Sequence, residues 1–130
     1  MSKAQPARAG VIVAVEDDAT MRTFIKDFLS LHGHTVTTAV GISDGLALCE
    51  AVRPDVVIVD MVLRPGNGVT LIRALRGARP RPRIVAISGA GTADGFDLLL
   101  EAREAGADVT LRKPIPGAFL AEVVGDLLSN

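Results

Sequence analysis

The chain has 130 residues, which fits a single domain large enough for a full hydrophobic core. Apolar residues make up 48% of the chain and charged residues 22%, a balance that excludes a disordered protein. The formal net charge of -1 excludes a general electrostatic affinity for nucleic acid or for anionic membranes.

The first strand–helix unit begins after a polar lead-in. Residues 1–9 are expected to form a flexible N-terminus, followed by one folded domain over 10–130. A run of apolar residues at 11–15 predicts a buried strand. Asp18 is placed to cap the next helix, and Gly33 lies where a left-handed residue would end that helix. The apolar residues that recur between them at helical spacing are Met21, Phe24, Ile25, Phe28 and Leu29.

Four more strand–helix units follow along the chain. β-branched residues at 35–40 predict a second strand, and apolar runs at 56–59, 84–87 and 109–112 predict three more. Ser43 is placed to cap the second helix. The last helix is expected to carry Phe119, Leu120, Val123, Val124 and Leu127 on its apolar face. Repeated strand–helix alternation predicts an α/β fold, with a parallel sheet covered by helices on both faces.

Four of the five predicted strands end at residues that can do chemistry. Glu16 and Asp17 follow the first strand, Asp60 the third, Ser88 the fourth and Lys113 the fifth. The carboxyl ends of parallel strands share one edge of the sheet, where α/β proteins bind their ligands. We therefore expect these five side chains to face a common cleft.

Three carboxylates in one cleft repel each other, and a hard divalent cation would relieve that repulsion. Mg²⁺ suits the cleft because it prefers oxygen ligands and often bridges a carboxylate to a phosphate. Asp60 could act as a nucleophile toward phosphorus, with the Ser88 hydroxyl and the Lys113 ammonium contacting the phosphoryl oxygens. Taken singly, Asp17 could be only a helix cap and Asp60 only a turn residue. Independent capping does not explain why all these groups coincide at strand ends.

Several short motifs together resemble the receiver domains of two-component response regulators. The matching residues are Val15-Glu16-Asp17-Asp18, Val59-Asp60, Gly68, Ser88, Gly106-Ala107-Asp108 and Lys113-Pro114. The resemblance runs from about residue 10 to residue 128. It implies a flavodoxin-like (βα)₅ fold, a doubly wound sheet of five parallel strands in the order 2-1-3-4-5.

The resemblance also implies a function for the cleft. Asp60 would be the phosphoacceptor, with the phosphoryl group coming from a histidine kinase or a histidine phosphotransfer protein. Ser88 would hydrogen-bond the phosphoryl group, and Lys113 would pair with it or with Asp60. The implied Mg²⁺ ligands are Asp17, Asp60 and the Val62 backbone carbonyl, with Glu16 acting through a bound water. The Lys113-Pro114 peptide bond is often cis in this family.

Two features depart from the family pattern, and two further positions bear on the lifetime of the phosphoryl group. Thr110 stands where an aromatic ring usually swings inward on activation, and the segment from Ser88 to Gly106 is longer than usual and rich in glycine. We hypothesise that movement of this segment and its helix replaces the ring swing. The side chains of Val62 and Ala90, which flank the expected path of the hydrolytic water, cannot hydrogen-bond. A long-lived phosphoaspartate is therefore predicted.

The leading interpretation is a stand-alone receiver that catalyses only its own phosphorylation and dephosphorylation. Its output would be a change in binding to another protein, through helix faces near 96–105 and 116–128, as a monomer or a phosphorylation-dependent dimer. A degenerate receiver that binds a partner without phosphorylation is the alternative. A phosphatase of the haloacid dehalogenase type would need a second Asp where Val62 stands, which argues against that third interpretation.

The remaining signals favour ordinary structural roles. The basic stretch at 76–83 lacks aromatic residues and is expected to be a solvated loop, not a nucleic-acid site. His32 and His34 lack the further ligands of a zinc site and are assigned to a helix-end turn. Cys49 falls on a helical apolar face, and a single cysteine cannot form an internal disulfide. With no signal peptide and no apolar stretch of roughly 20 residues, a cytoplasmic protein without membrane contact is expected.

Overall fold

The computed structural model describes residues 8–89 and 93–129. The strands are β1 Val11–Val15, β2 Thr35–Ala39, β3 Val56–Asp60, β4 Arg83–Ser88 and β5 Val109–Arg112. The helices are α1 Ala19–Leu31, α2 Ile42–Val52, α3 Val69–Arg76, α4 Ala93–Ala105 and α5 Gly117–Ser129. Most of the flexible segment predicted over residues 1–9 lies outside the described residues, and so does Ala90.

The five strands form one parallel sheet in the order β2-β1-β3-β4-β5, which confirms the predicted fold. Strand β3 lies at its centre and is buried along its whole length, as expected of an apolar strand covered on both faces. Helices α2, α3 and α4 cover one face, where Leu71 and Ile72 are fully buried. Helices α1 and α5 cover the other, where Ile25 and Leu120 are fully buried.

Helix α1 begins and ends where its sequence predicts. The Asp18 side chain accepts a hydrogen bond from the Met21 N–H at 2.8 Å, which satisfies one of the unpaired donors of the first turn. Gly33 has a φ of +91°, a conformation that costs glycine little and other residues much more. The His32-Gly33 segment is thus the helix-end turn that the sequence indicated.

Helix α2 starts earlier than predicted, so the assignment of Ser43 as its cap is wrong. The N-cap is Gly41, whose carbonyl accepts the first helical bond from the Gly45 N–H at 2.8 Å. Ile42 opens the helix and packs against the hydrophobic core. Its burial favours a helix that already includes this residue, which leaves Ser43 inside the first turn.

The apolar stripes of α1 and α5 include surface residues as well as core residues. Phe24 is 38% exposed and Phe119 is 46% exposed, although both were expected on the core faces of their helices. Ile25 and Leu29 supply the fully buried contacts of α1. Phe24 instead stacks on Phe28, with ring centroids 5.8 Å apart. Helical periodicity therefore predicted the correct helices, but it assigned some exposed residues to their buried faces.

Candidate functional site

The carboxyl edge of the sheet carries the candidate residues. Asp60 is the last residue of β3 and Ser88 the last of β4, and Glu16 follows β1 directly. In the β3–β4 register, Asp60 pairs with Ile87, and Ile87 is the residue that precedes Ser88. Glu16, Asp60 and Ser88 are all buried, with Ser88 fully inaccessible. Parallel pairing of β1, β3 and β4 therefore brings these polar groups to one place.

Three carboxylates converge at this edge. One oxygen from each of Glu16, Asp17 and Asp60 lies within 4.8 Å of the other two. Asp17 is partly exposed while its two neighbours are buried, so the cluster is open to solvent on the Asp17 side. This all-oxygen set of hard ligands suits a small divalent cation such as Mg²⁺. The Val62 N–H donates to Asp60 Oδ1 at 2.8 Å, which places the Val62 backbone at the same site.

Lys113 supplies the positive charge beside the carboxylates. Its Nζ donates to Asp60 Oδ2 at 2.8 Å and to Glu16 Oε1 at 3.1 Å. The Lys113 backbone N–H also donates to the Ser88 carbonyl at 2.7 Å, which fixes the end of β5 beside β4. The following Lys113-Pro114 peptide bond is cis, as the family resemblance implied.

Burial and the charges of the cluster together shift the pKa of two of its members. Burial, followed by the hydrogen bond and charge of Asp60, raises the pKa of Glu16 to about 7. Burial by itself lowers the pKa of Lys113, but the hydrogen bonds and charges of Asp60 and Glu16 outweigh burial and raise it. Glu16 is therefore close to its titration midpoint at neutral pH, and a cation among these oxygens would favour its ionised form.

The Ser88 hydroxyl is buried and has no hydrogen-bond partner within residues 8–89 and 93–129. Such an unsatisfied hydroxyl typically costs about 1–3 kcal/mol, so it favours any ligand that supplies a partner. Gly68 closes the loop after β3 on the same side. A Cβ on Gly68 would lie 2.7 Å from Val59 Cγ1 and 3.0 Å from the Asp60 carbonyl oxygen, so only glycine allows this approach.

Two arginines that were not expected from the sequence contact the site or lie near it. The Arg22 side chain, on α1, donates from Nη1 to the carbonyls of Glu16 at 3.0 Å and Asp17 at 3.3 Å. On α4, Arg103 Nη2 donates to Thr110 Oγ1 at 3.2 Å, and Thr110 is the residue that stands where the resemblance implies an aromatic ring. A basic residue four positions after the Asp18 cap was the available signal for Arg22, because one helical turn returns its side chain to the start of the helix.

Comparison with known proteins decides the family. Residues 12–124 match the profile of the response regulator receiver domain. The chain belongs to this family. Receiver domains are the signalling modules of two-component systems, so phosphorylation-based signalling is the family's function.

Relatives and solved structures agree with this receiver-domain assignment. The transcriptional regulatory protein AfsQ1 of Streptomyces coelicolor is 32% identical over 109 residues, which cover 84% of this chain and 47% of AfsQ1. The KDP operon transcriptional regulatory protein KdpE of Escherichia coli is 33% identical over 103 residues, 79% of this chain and 44% of KdpE. The crystal structure of a response regulator receiver domain protein from Clostridium thermocellum superposes with a TM-score of 0.84 at 27% identity, covering 94% of this chain and 95% of that one.

The receiver domain spans about half the length of the curated relatives that it matches. Across the described part of the chain, no helix combines the length and apolar character needed to cross a bilayer.

Proposed function

We propose that this receiver domain is switched by phosphorylation of Asp60, with a histidine kinase or a histidine phosphotransfer protein as the phosphoryl donor. The observation that carries the proposal is the position of Asp60. It ends the central strand among two further carboxylates, with the Lys113 ammonium 2.8 Å from its Oδ2. As is typical of response regulators, the protein is proposed to act in the cytoplasm.

The transfer step needs a carboxylate held in position. An Asp60 oxygen attacks the phosphorus of a phosphohistidine, so that a P–O bond forms as the P–N bond breaks, and the leaving imidazole takes up a proton. Both Asp60 oxygens are already oriented, Oδ1 by the Val62 N–H and Oδ2 by Lys113 Nζ. Such orientation lowers the entropy lost on reaching the transition state.

The residues present fit a Mg²⁺ ion. We propose Asp17, Asp60 and the Val62 carbonyl as its direct ligands, with Glu16 acting through a bound water. Support comes from the convergence of three carboxylates within 4.8 Å. Burial first, and then the hydrogen bond and charge of Asp60, raise the pKa of Glu16 to about 7, and a bound cation would offset the contribution of Asp60. When bound, Mg²⁺ would neutralise charge on the transferring phosphoryl oxygens.

We propose that Ser88 and Lys113 receive the phosphoryl group once it is on Asp60. The buried Ser88 hydroxyl lacks a partner among the described residues and gains one, and the Lys113 ammonium remains beside the new negative charge. The output is proposed to be binding to another protein, as a monomer or a phosphorylation-dependent dimer. Docking is proposed on the helix faces near 96–105 and 116–128, which include the exposed side chains of Leu100 and Phe119.

Intact-protein mass tests the proposal after incubation with acetyl phosphate and Mg²⁺. We expect the mass of one phosphoryl group to be added to the wild type. The gain should be lost in Asp60→Asn and in wild type treated with a chelator. Absence of any gain in folded protein, with a cognate kinase as well as acetyl phosphate, would instead favour a receiver that binds its partner without phosphorylation.

A further inference from the structure

The Arg22 side chain makes hydrogen bonds to the turn that carries two of the candidate metal ligands. This turn joins β1 to α1, and Arg22 reaches back to it from one turn inside the helix. Its partly buried side chain donates from a single nitrogen, Nη1, to the carbonyls of Glu16 and Asp17, at 3.0 and 3.3 Å. Arg22 therefore holds the main chain of both residues at once.

Among the described residues, the other hydrogen bonds of this turn are made by the residues on either side of Asp17 and not by its own main chain. The Asp18 N–H donates to Glu16 Oε2 at 3.1 Å, and the Met21 N–H donates to Asp18 Oδ2 at 2.8 Å. The Glu16 N–H donates to the Ala39 carbonyl of β2 at 3.0 Å. Within the described ranges, Arg22 provides the bond to the Asp17 carbonyl.

The guanidinium binds carbonyl oxygens rather than carboxylates. In the part of the chain that the structure describes, the ion pairs of the acidic cluster are made by Lys113, with Glu16 and Asp60. Arg22 thus leaves the side-chain oxygens of Glu16 and Asp17 available to a cation. A hydrogen bond that orients a ligating residue in this way typically changes metal affinity by about 10- to 100-fold.

We infer that Arg22 is a positioning residue for the Mg²⁺ site, an inference that rests on the proposed function. By fixing the carbonyls of Glu16 and Asp17, it keeps their carboxylates converged on Asp60. A purely electrostatic role predicts the opposite sign, because a cation near the site repels Mg²⁺ and its removal would tighten binding.

Isothermal titration of the full chain with MgCl₂, without a phosphoryl donor, tests this role. We expect Arg22→Gln to weaken Mg²⁺ binding about tenfold relative to wild type. Arg22→Lys should be intermediate, because its ammonium keeps the charge and can reach the carbonyls with less favourable geometry. Lys26→Gln is the matched control, since it removes one charge from an exposed position on the same helix and should leave the affinity unchanged.

The outcomes separate this inference from the function on which it rests. Equal or tighter Mg²⁺ binding by Arg22→Gln, with wild type binding normally, overturns the role of Arg22 alone. No Mg²⁺ binding by wild type overturns both this role and the proposed metal site. Thermal unfolding in a chelator shows whether the variants fold. If Arg22→Gln does not fold, wild-type affinity in Arg22→Lys overturns the inference and weaker binding supports it.

Discussion

Lys113 donates hydrogen bonds to both buried carboxylates of the site, and its ammonium offsets part of the negative charge that Glu16 and Asp60 bring together. The sequence could predict this residue because the end of β5 lies at the same sheet edge as the ends of β1 and β3. The position of Arg22, one helical turn after the Asp18 cap, indicated that its side chain can reach the turn, but it could not show that the carbonyls of Glu16 and Asp17 are its acceptors.

Replacing Lys113 tests its part in phosphoryl transfer. In Lys113→Gln, we expect the rate of phosphorylation by acetyl phosphate to fall about 100-fold, because one preorganised cation is lost from the reacting group. A time course of intact-protein mass measures the rate, with Lys26→Gln as the control. A rate equal to that of wild type would show that the ammonium contributes nothing to transfer.

Val62 lies at the mouth of the site, 37% exposed, and its side chain offers no hydrogen bond to water. We predict that Val62→Asn shortens the lifetime of the phosphoryl group on the order of tenfold, because an amide can orient the attacking water. The loss of phosphoryl mass after removal of acetyl phosphate gives the rate. Val62→Ala is the matched control and should behave like wild type. Equal lifetimes in all three proteins would refute the explanation.

At the scale of elements, apolar runs predicted four of the strands and β-branched residues predicted β2. Contacts between residues distant in sequence, made by the connecting segments, were not predicted. The stretch at 76–83 was interpreted only as a solvated loop. Arg76 Nη1 donates to the Ala105 carbonyl at 3.0 Å, and Arg81 Nη2 donates to the Gly106 carbonyl at 2.7 Å. These arginines thus tie α3 and the following loop to the end of α4. Charge pattern predicts exposure, but it carries no information about such long-range partners.

The switch hypothesis concerns α4 and the β5 strand beside it. Arg103 on α4 donates a hydrogen bond to Oγ1 of Thr110, the residue that stands where the family resemblance implies an aromatic ring. If α4 moves on activation, amide hydrogen exchange across 93–105 should change when beryllofluoride and Mg²⁺ are added as a phosphoryl mimic. Asp60→Asn serves as the control and should show no change. Unchanged protection in wild type that binds the mimic would contradict the hypothesis.

At the scale of the whole molecule, alternation of strands and helices predicted a parallel sheet covered on both faces, because right-handed crossovers leave few other arrangements. The order of its strands was implied by the family resemblance, and the structure agrees with it. Contacts at the amino-terminal end of the sheet were harder to predict from the sequence. His34 was expected only in a helix-end turn, but it is buried and its Nδ1 accepts a hydrogen bond from the Gly10 N–H at 3.1 Å. An acceptor role of this kind requires a neutral ring nitrogen.

This contact predicts that His34 makes stability depend on pH. Burial, and then the nearby His32, lowers the pKa of His34 from its ordinary value of 6.5. The unfolded chain therefore binds a proton first as pH falls, and His34's contribution to the free energy of unfolding, fully present above about pH 6.5, declines below it. Glu16 acts in the opposite direction, since its pKa is raised to about 7 in the folded state.

Urea unfolding at pH 7.5 and pH 5.5 isolates the contribution of His34. His34→Asn keeps an acceptor near the position of Nδ1 but does not titrate, and Glu16 is unchanged in it. Relative to wild type, we expect the variant to lose less stability on acidification. An identical change in both proteins would show that the buried imidazole does not couple to folding.

Asp60, and no other carboxylate of the cluster, is proposed to accept the phosphoryl group. Borohydride reduces an aspartyl phosphate to homoserine, so treatment after phosphorylation marks the acceptor for peptide mass spectrometry. We predict homoserine at position 60 only, and only when Mg²⁺ was present. Homoserine at Asp17 or at another aspartate, in protein that gained a phosphoryl group, would contradict the account.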